Sequence, residues 1–218
     1  MTIIDDAING ARNLISDAVQ RIRLVVGINE FLLSAEVQKI RFSCEAVTIT
    51  GHSYFQLASK LRSGLLHILI SDRDQDGSPL DPSVGAQYLP DTDTLQLRPG
   101  FTLASFNDKG MLVHELTHAA IDDMNLKASR GLHRTENEAI AYIAQMLYRR
   151  YTHSLTADAF GLPQLQVASA IARNIAASSS LYTVTQEEIR LLRNTIGHRP
   201  IYRGIRGQLE VGDGIGLH

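Results

Sequence analysis

The stretch that most constrains this chain is Met111-Leu112-Val113-His114-Glu115-Leu116-Thr117-His118-Ala119-Ala120-Ile121. Apart from its two imidazoles and one carboxylate, every residue is apolar or small and uncharged. On a solvated helix those positions would carry Lys, Glu or Arg; here the pattern predicts a helix turned into the protein interior. Residues four apart lie on one face of a helix, so His114 and His118 project toward a single point. Neutral imidazole is a ligand suited to zinc, at about 2.0–2.1 Å. Glu115 lies about 100° round the same helix, where it flanks such a metal without saturating it. That position suits a general base acting on water activated by the metal.

A third ligand is expected from the next helix. Glu136 and Glu138 both lie early on it, and two residues apart is about 200° of rotation, so only one can face the metal. Glu136 shares its face with Ile140, Ile143 and Leu147, which favours core packing. Glu138 shares its face with Ala141, Tyr142 and Gln145, and a small alanine one turn away lets two helices approach closely. Glu138 follows His118 by twenty residues, enough for one helix to end, for the chain to turn through Lys127–Gly131 and for a second helix to pack back. Two imidazoles and one carboxylate leave a fourth position open, as a catalytic zinc needs, whereas structural sites are closed by four protein ligands, often cysteines. Cys44 is the only cysteine. It can form no internal disulfide and reads as a small buried apolar residue.

Apolar spacing predicts helices near residues 3–26, at Ser53–Leu61, from about Asn107 to about Met124, and from about Arg134 to about Tyr151. Two more follow near 163–177 and 186–196, the last opened by the capping box Thr185-Gln186-Glu187-Glu188. Ser105 or Asn107 is the expected cap of the metal-bearing helix. A strand is expected within residues 38–50, a buried strand at Leu65–Ile70, and two short strands, Gln87–Leu89 and Thr94–Leu97, around the turn Pro90–Asp93. Helices with a few strands, then helices alone, give an α+β class, mostly helical with a small sheet before the metal-bearing helix. Residues 1–203 read as one domain and 204–218 as a Gly-rich tail. The G-x-G-x-G spacing of that tail precedes no helix, so it is not read as a phosphate loop.

Val113 to Ala119, followed by Asn137-Glu138-Ala139-Ile140, resembles the gluzincin branch of the zincin metallopeptidases, the thermolysin-like enzymes in particular. The resemblance covers about residues 111–141. It implies a zincin-like fold, one zinc held by His114, His118 and Glu138, and Glu115 as catalytic base in peptide-bond hydrolysis. It also selects Glu138 over Glu136. Asp122 matches an acid of the family four residues beyond the second histidine. Two departures stand out. The family places an Asp four residues after the ligand Glu to orient an imidazole; here that residue is Tyr142, so the role passes to Asp122 or to a backbone carbonyl. The family's C-terminal lobe, with its transition-state histidine, has no counterpart; His153, His198, Tyr148, Tyr151 and Tyr202 are the available substitutes. In zincins an edge strand over the metal pairs with extended substrate, a role expected here of Thr94–Leu97.

A weaker metal signal is Asp72-Arg73-Asp74-Gln75-Asp76-Gly77, which opens like a calcium loop but has Ser83 where the closing Glu belongs. With a net charge of −2, the chain has no long-range pull toward nucleic acid or anionic membrane. No apolar run reaches the ~20 residues that span a bilayer. The N-terminus lacks the pattern of a secretory signal, so a cytoplasmic location is the default expectation. The expected partner is therefore a peptide or protein substrate. The rival reading is a zinc-binding regulatory or interaction protein on the same scaffold, without efficient proteolysis.

Overall fold

A computed structural model describes residues 3–82, 84–124, 132–152, 161–198 and 209–210, with side chains between residues 18 and 198. Its architecture is α+β. Helix α1 (Ile3–Leu32) leads through the short α2 (Ala35–Gln38) into a hairpin of β1 (Arg41–Cys44) and β2 (Val47–Thr50). Then come α3 (Gly51–Ser63), β3 (His67–Ile70), β4 (Ala86–Leu89) and β5 (Thr94–Leu97). The helix that carries His114, Glu115 and His118 is α4 (Phe106–Asp123). After it, β6 (Leu132–His133) leads into α5 (Arg134–Tyr151), followed by α6 (Pro163–Ala177) and α7 (Gln186–Gly197). Strand β6 pairs antiparallel with β7 (Leu209–Glu210), within the expected Gly-rich tail; the rest of that tail lies outside the described residues. No described helix is long and apolar enough to cross a membrane.

Local chemistry sets the helix ends. The Ser105 hydroxyl accepts the Asp108 N–H at 3.3 Å and starts α4. Thr185 and Glu188 satisfy each other's backbone N–H groups and start α7. Pro163, with no N–H to lose, opens α6. Gly64, at φ 74°, closes α3 in the left-handed conformation that favours glycine.

Helix α5 is the centre of the molecule. Ala139, Ile140, Ala141, Ile143, Ala144 and Leu147 are all fully buried, as expected of a helix covered on every side. Helices α4, α6 and α7 pack against it. Small residues allow the close approach: at Gly110 of α4, a Cβ would stand 2.7 Å from Nε of Arg149 on α5. Helix α3 covers another side of α4. The Tyr54 hydroxyl donates to Thr117 Oγ1 at 2.8 Å, and the Thr117 hydroxyl in turn donates to the Val113 carbonyl at 2.6 Å. Both side chains are fully buried, so a polar bond with no competing water joins the two helices. Gly51 begins α3 hard against α2, where a Cβ would meet the Gln38 carbonyl and stand 2.9 Å from its Cα.

The sheet departs from the expected arrangement. Its order is β3-β5-β4, with β3 parallel and β4 antiparallel to β5. Thr94–Leu97 is therefore the central strand, buried at all four positions, with both edges already paired. It cannot be the substrate ledge; the edge strand beside α4 is β4. Strand β3 is the other edge and is not wholly buried, since His67 and Leu69 face outward. The region 38–50 forms a whole hairpin rather than one strand. Its β1 is tied to the C-terminal helices: Ser43 N–H donates to Tyr182 O and Val184 N–H donates to Ser43 O, both at 2.8 Å. Cys44 on β1 is fully buried, and burial pushes its thiol up to about 12, leaving an inert packing residue.

Candidate metal centre

Helices α4 and α5 bring His114, His118 and Glu138 together. Their ligand atoms all lie within 4.8 Å of one another, the one group of this kind among the described residues. The Glu138 carboxylate stands between the imidazoles, with Oε2 at 3.3 Å from His114 Nε2 and Oε1 at 3.9 Å from His118 Nε2. Two ligands at ~2.0–2.1 Å from one tetrahedral ion are ~3.3 Å apart, the separation seen between His114 and Glu138; His118 stands somewhat further out. The rings of His114 and His118 meet edge-on, their centroids 4.9 Å apart. The set of two nitrogens and one carboxylate suits zinc, and no fourth protein ligand joins the group among the described residues. Glu136 is on the far side of α5, as the helix geometry requires. It is buried, with Oε2 3.7 Å from Arg193 Nη1 on α7.

His118 is oriented by a residue whose role the sequence did not reveal. Asn137 Oδ1 lies 2.9 Å from His118 Nδ1; the oxygen accepts, so Nδ1 carries the ring proton and the Nε2 lone pair is free to ligate. Asp122, expected as an imidazole partner, accepts the Tyr88 hydroxyl of β4 at 2.6 Å. Tyr142, in the position of the missing acid, packs its ring against His114 with centroids 4.5 Å apart and planes at 67°.

Glu115 is held from the sheet. The Tyr88 backbone N–H donates to Glu115 Oε2 at 2.9 Å, so one residue of β4 grips α4 through both its main chain and its hydroxyl. Burial raises the Glu115 carboxyl to about 7, and the Glu138 charge pushes the same way. His118 and the Tyr88 N–H oppose the rise. A carboxyl near neutrality, beside a metal-ligand set, is matched to proton transfer at ordinary pH.

Other expected residues lie elsewhere. Asp72, Asp74 and Asp76 do not converge on a cation site. Asp76 Oδ1 accepts from Ser78 N and Oγ at 2.8 and 2.6 Å, and Asp74 Oδ1 accepts from Gln75 N at 2.8 Å. These carboxylates cap their own turn, the ordinary use of Asp in a tight loop. Tyr148 is a core residue between Phe31 and Phe106. Tyr151 is half-buried against the same core. His198 ends α7 with Nδ1 2.5 Å from Asn194 O. His153, Tyr202 and the turn Lys127–Gly131 lie outside the described residues.

Comparison of the chain with family models, characterised proteins and solved structures yields no match.

Proposed function

We propose that this chain is a zinc-dependent metallopeptidase of the zincin type, with the ligand set of the gluzincins. The observation that carries the reading is the convergence of two Nε2 atoms and one carboxylate, with a second carboxylate of raised pKa beside them. His114, His118 and Glu138 hold the metal. Zinc, when bound, supplies a Lewis acid that polarises the peptide carbonyl and acidifies water. Glu115 takes a proton from the attacking water as the C–O bond forms. It gives that proton to the amine nitrogen as the C–N bond breaks. The Tyr88 N–H fixes the carboxylate for both transfers.

Strand β4 supplies the substrate ledge. Its inner edge is paired with β5, and the Tyr88 N–H points away from β5 toward Glu115. The outer edge of β4 therefore runs past the base. An extended peptide adds to such an edge through main-chain hydrogen bonds.

The test pairs metal analysis with digestion of a mixed peptide library. One zinc per chain is expected, with hydrolysis lost on chelation and restored by zinc. Glu115→Gln retains the metal and loses activity by about 100-fold or more. Only trace zinc after zinc is supplied, or a fully active Glu115→Gln, overturns the proposal.

A further inference from the structure

The two imidazoles of the centre are not equivalent, and the difference bears on how tightly a metal is held. His118 already has its ligating form, with the proton on Nδ1 directed to Asn137 Oδ1 and Nε2 free. His114 has no such support. Its Nδ1 is buried and has no hydrogen-bond partner among the described residues, and the residue is only 8% exposed. The ring of Tyr142 packs against this imidazole instead. An aromatic ring accepts a hydrogen bond far more weakly than an oxygen does.

The asymmetry penalises one state selectively. Without metal, neutral His114 can keep its proton on Nε2 and direct it to Glu138 Oε2, 3.3 Å away; the bare Nδ1 lone pair is then the lesser loss. When Nε2 binds metal, the proton must move to Nδ1, where it meets no acceptor. A buried donor without an acceptor is costly. Metal-bound histidines almost always give this second N–H to an oxygen, which fixes the tautomer and makes the ring a stronger donor.

We infer that Tyr142 leaves His114 a weakly donating ligand and thereby makes this an exchangeable metal centre, filled and emptied as zinc supply changes. The inference rests on His114 being a zinc ligand, as proposed above. It concerns the affinity of the site, not its chemistry. The fold already carries the alternative: the acceptor that supports His118 sits on α5 next to the ligand Glu138, and residue 142 stands one turn further along the same helix.

Zinc affinity and release rate, measured by competition with a fluorescent chelator, test this in Tyr142→Asp, Tyr142→Asn and Tyr142→Phe. Both oxygen-bearing variants are expected to bind zinc about 10–100-fold more tightly and to release it more slowly. Tyr142→Phe, which keeps the ring and adds no acceptor, stays close to the parent protein. Unchanged or weaker binding in folded Asp and Asn variants overturns the inference, as does equal tightening by Phe. Nitrogen-15 NMR of the parent protein gives a second reading that needs no variant. Zinc should move the His114 proton from Nε2 to Nδ1 and leave His118 with its proton on Nδ1 throughout. A His114 already protonated on Nδ1 without metal overturns the inference. A parent protein that binds zinc while the variants fail to tighten it refutes this step alone. Failure of the parent and every variant to bind zinc refutes the metallopeptidase reading as well.

Discussion

Replacing Glu115 with glutamine separates what the carboxylate does for chemistry from what it costs the metal-free fold. Burial raises this carboxyl from an ordinary 4.5 to about 7. Folding therefore favours its protonated form. The folded chain holds the proton more firmly than the unfolded chain between those two values. Its contribution is fully present below about pH 4.5 and is lost as pH rises through about 7. That interval corresponds to at most about 3.4 kcal/mol, since one pH unit is worth about 1.4 kcal/mol. Glu115 is only partly buried, so about 1–2 kcal/mol is the working figure. Glutamine has nearly the same shape, accepts the Tyr88 N–H through its own oxygen and never ionises. Metal-free Glu115→Gln should match the parent at pH 4 and exceed it by about 1–2 kcal/mol at pH 8. Urea unfolding with a chelator present, at both pH values, measures the difference. An equal difference at the two pH values, or a less stable variant at pH 8, refutes the argument that the ionised carboxylate is strained by burial.

Glu138→Ala should abolish stoichiometric zinc binding, whereas Glu136→Ala should keep it and cost about 1–3 kcal/mol in urea unfolding through loss of its contact with Arg193. Gly51→Ala should cost about 1–3 kcal/mol by the same measurement, because the added methyl meets Gln38 backbone that cannot swing aside. Tyr54→Phe should cost about 1 kcal/mol and leave zinc stoichiometry unchanged, since its hydroxyl bonds to Thr117 and not to His114, His118 or Glu138.

The helices and the meeting of His114, His118 and Glu138 are legible in the sequence because both follow from helical periodicity. Apolar spacing gives the elements, and spacing of four gives the shared face. What is not legible depends on partners distant in sequence or on groups common to every residue. Thr94–Leu97 looks like any short strand; that it is central follows from pairing with both His67–Ile70 and Ala86–Leu89. The hairpin of β1 and β2 turns at Glu45 with φ 50°, a conformation that glycine or asparagine would have signalled and glutamate does not. The grip on Glu115 comes from a backbone N–H, which residue identity cannot mark. Asn137 does carry a signal: it is a short amide next to Glu138 near the start of α5, where it can meet His118 of α4. Acidic residues at alternate positions in 72–76 resemble a calcium loop because composition cannot show that the Asp74 and Asp76 oxygens are spent on their own turn.

His114, His118 and Glu138 lie within one stretch of chain, on two consecutive helices. The clasp between Ser43 and Thr183 joins positions 140 residues apart. These closures differ in entropic cost, which grows with the logarithm of loop length. The helix pair can dock, and its ligands can meet, long before the two ends of the chain find each other. Convergence of these three side chains is therefore a local event on the folding path, and closing Ser43 onto residues 182–184 is a late one. A metal bound early would cross-link near neighbours and remove little freedom from the rest of the chain. It would commit the helical hairpin without committing the topology.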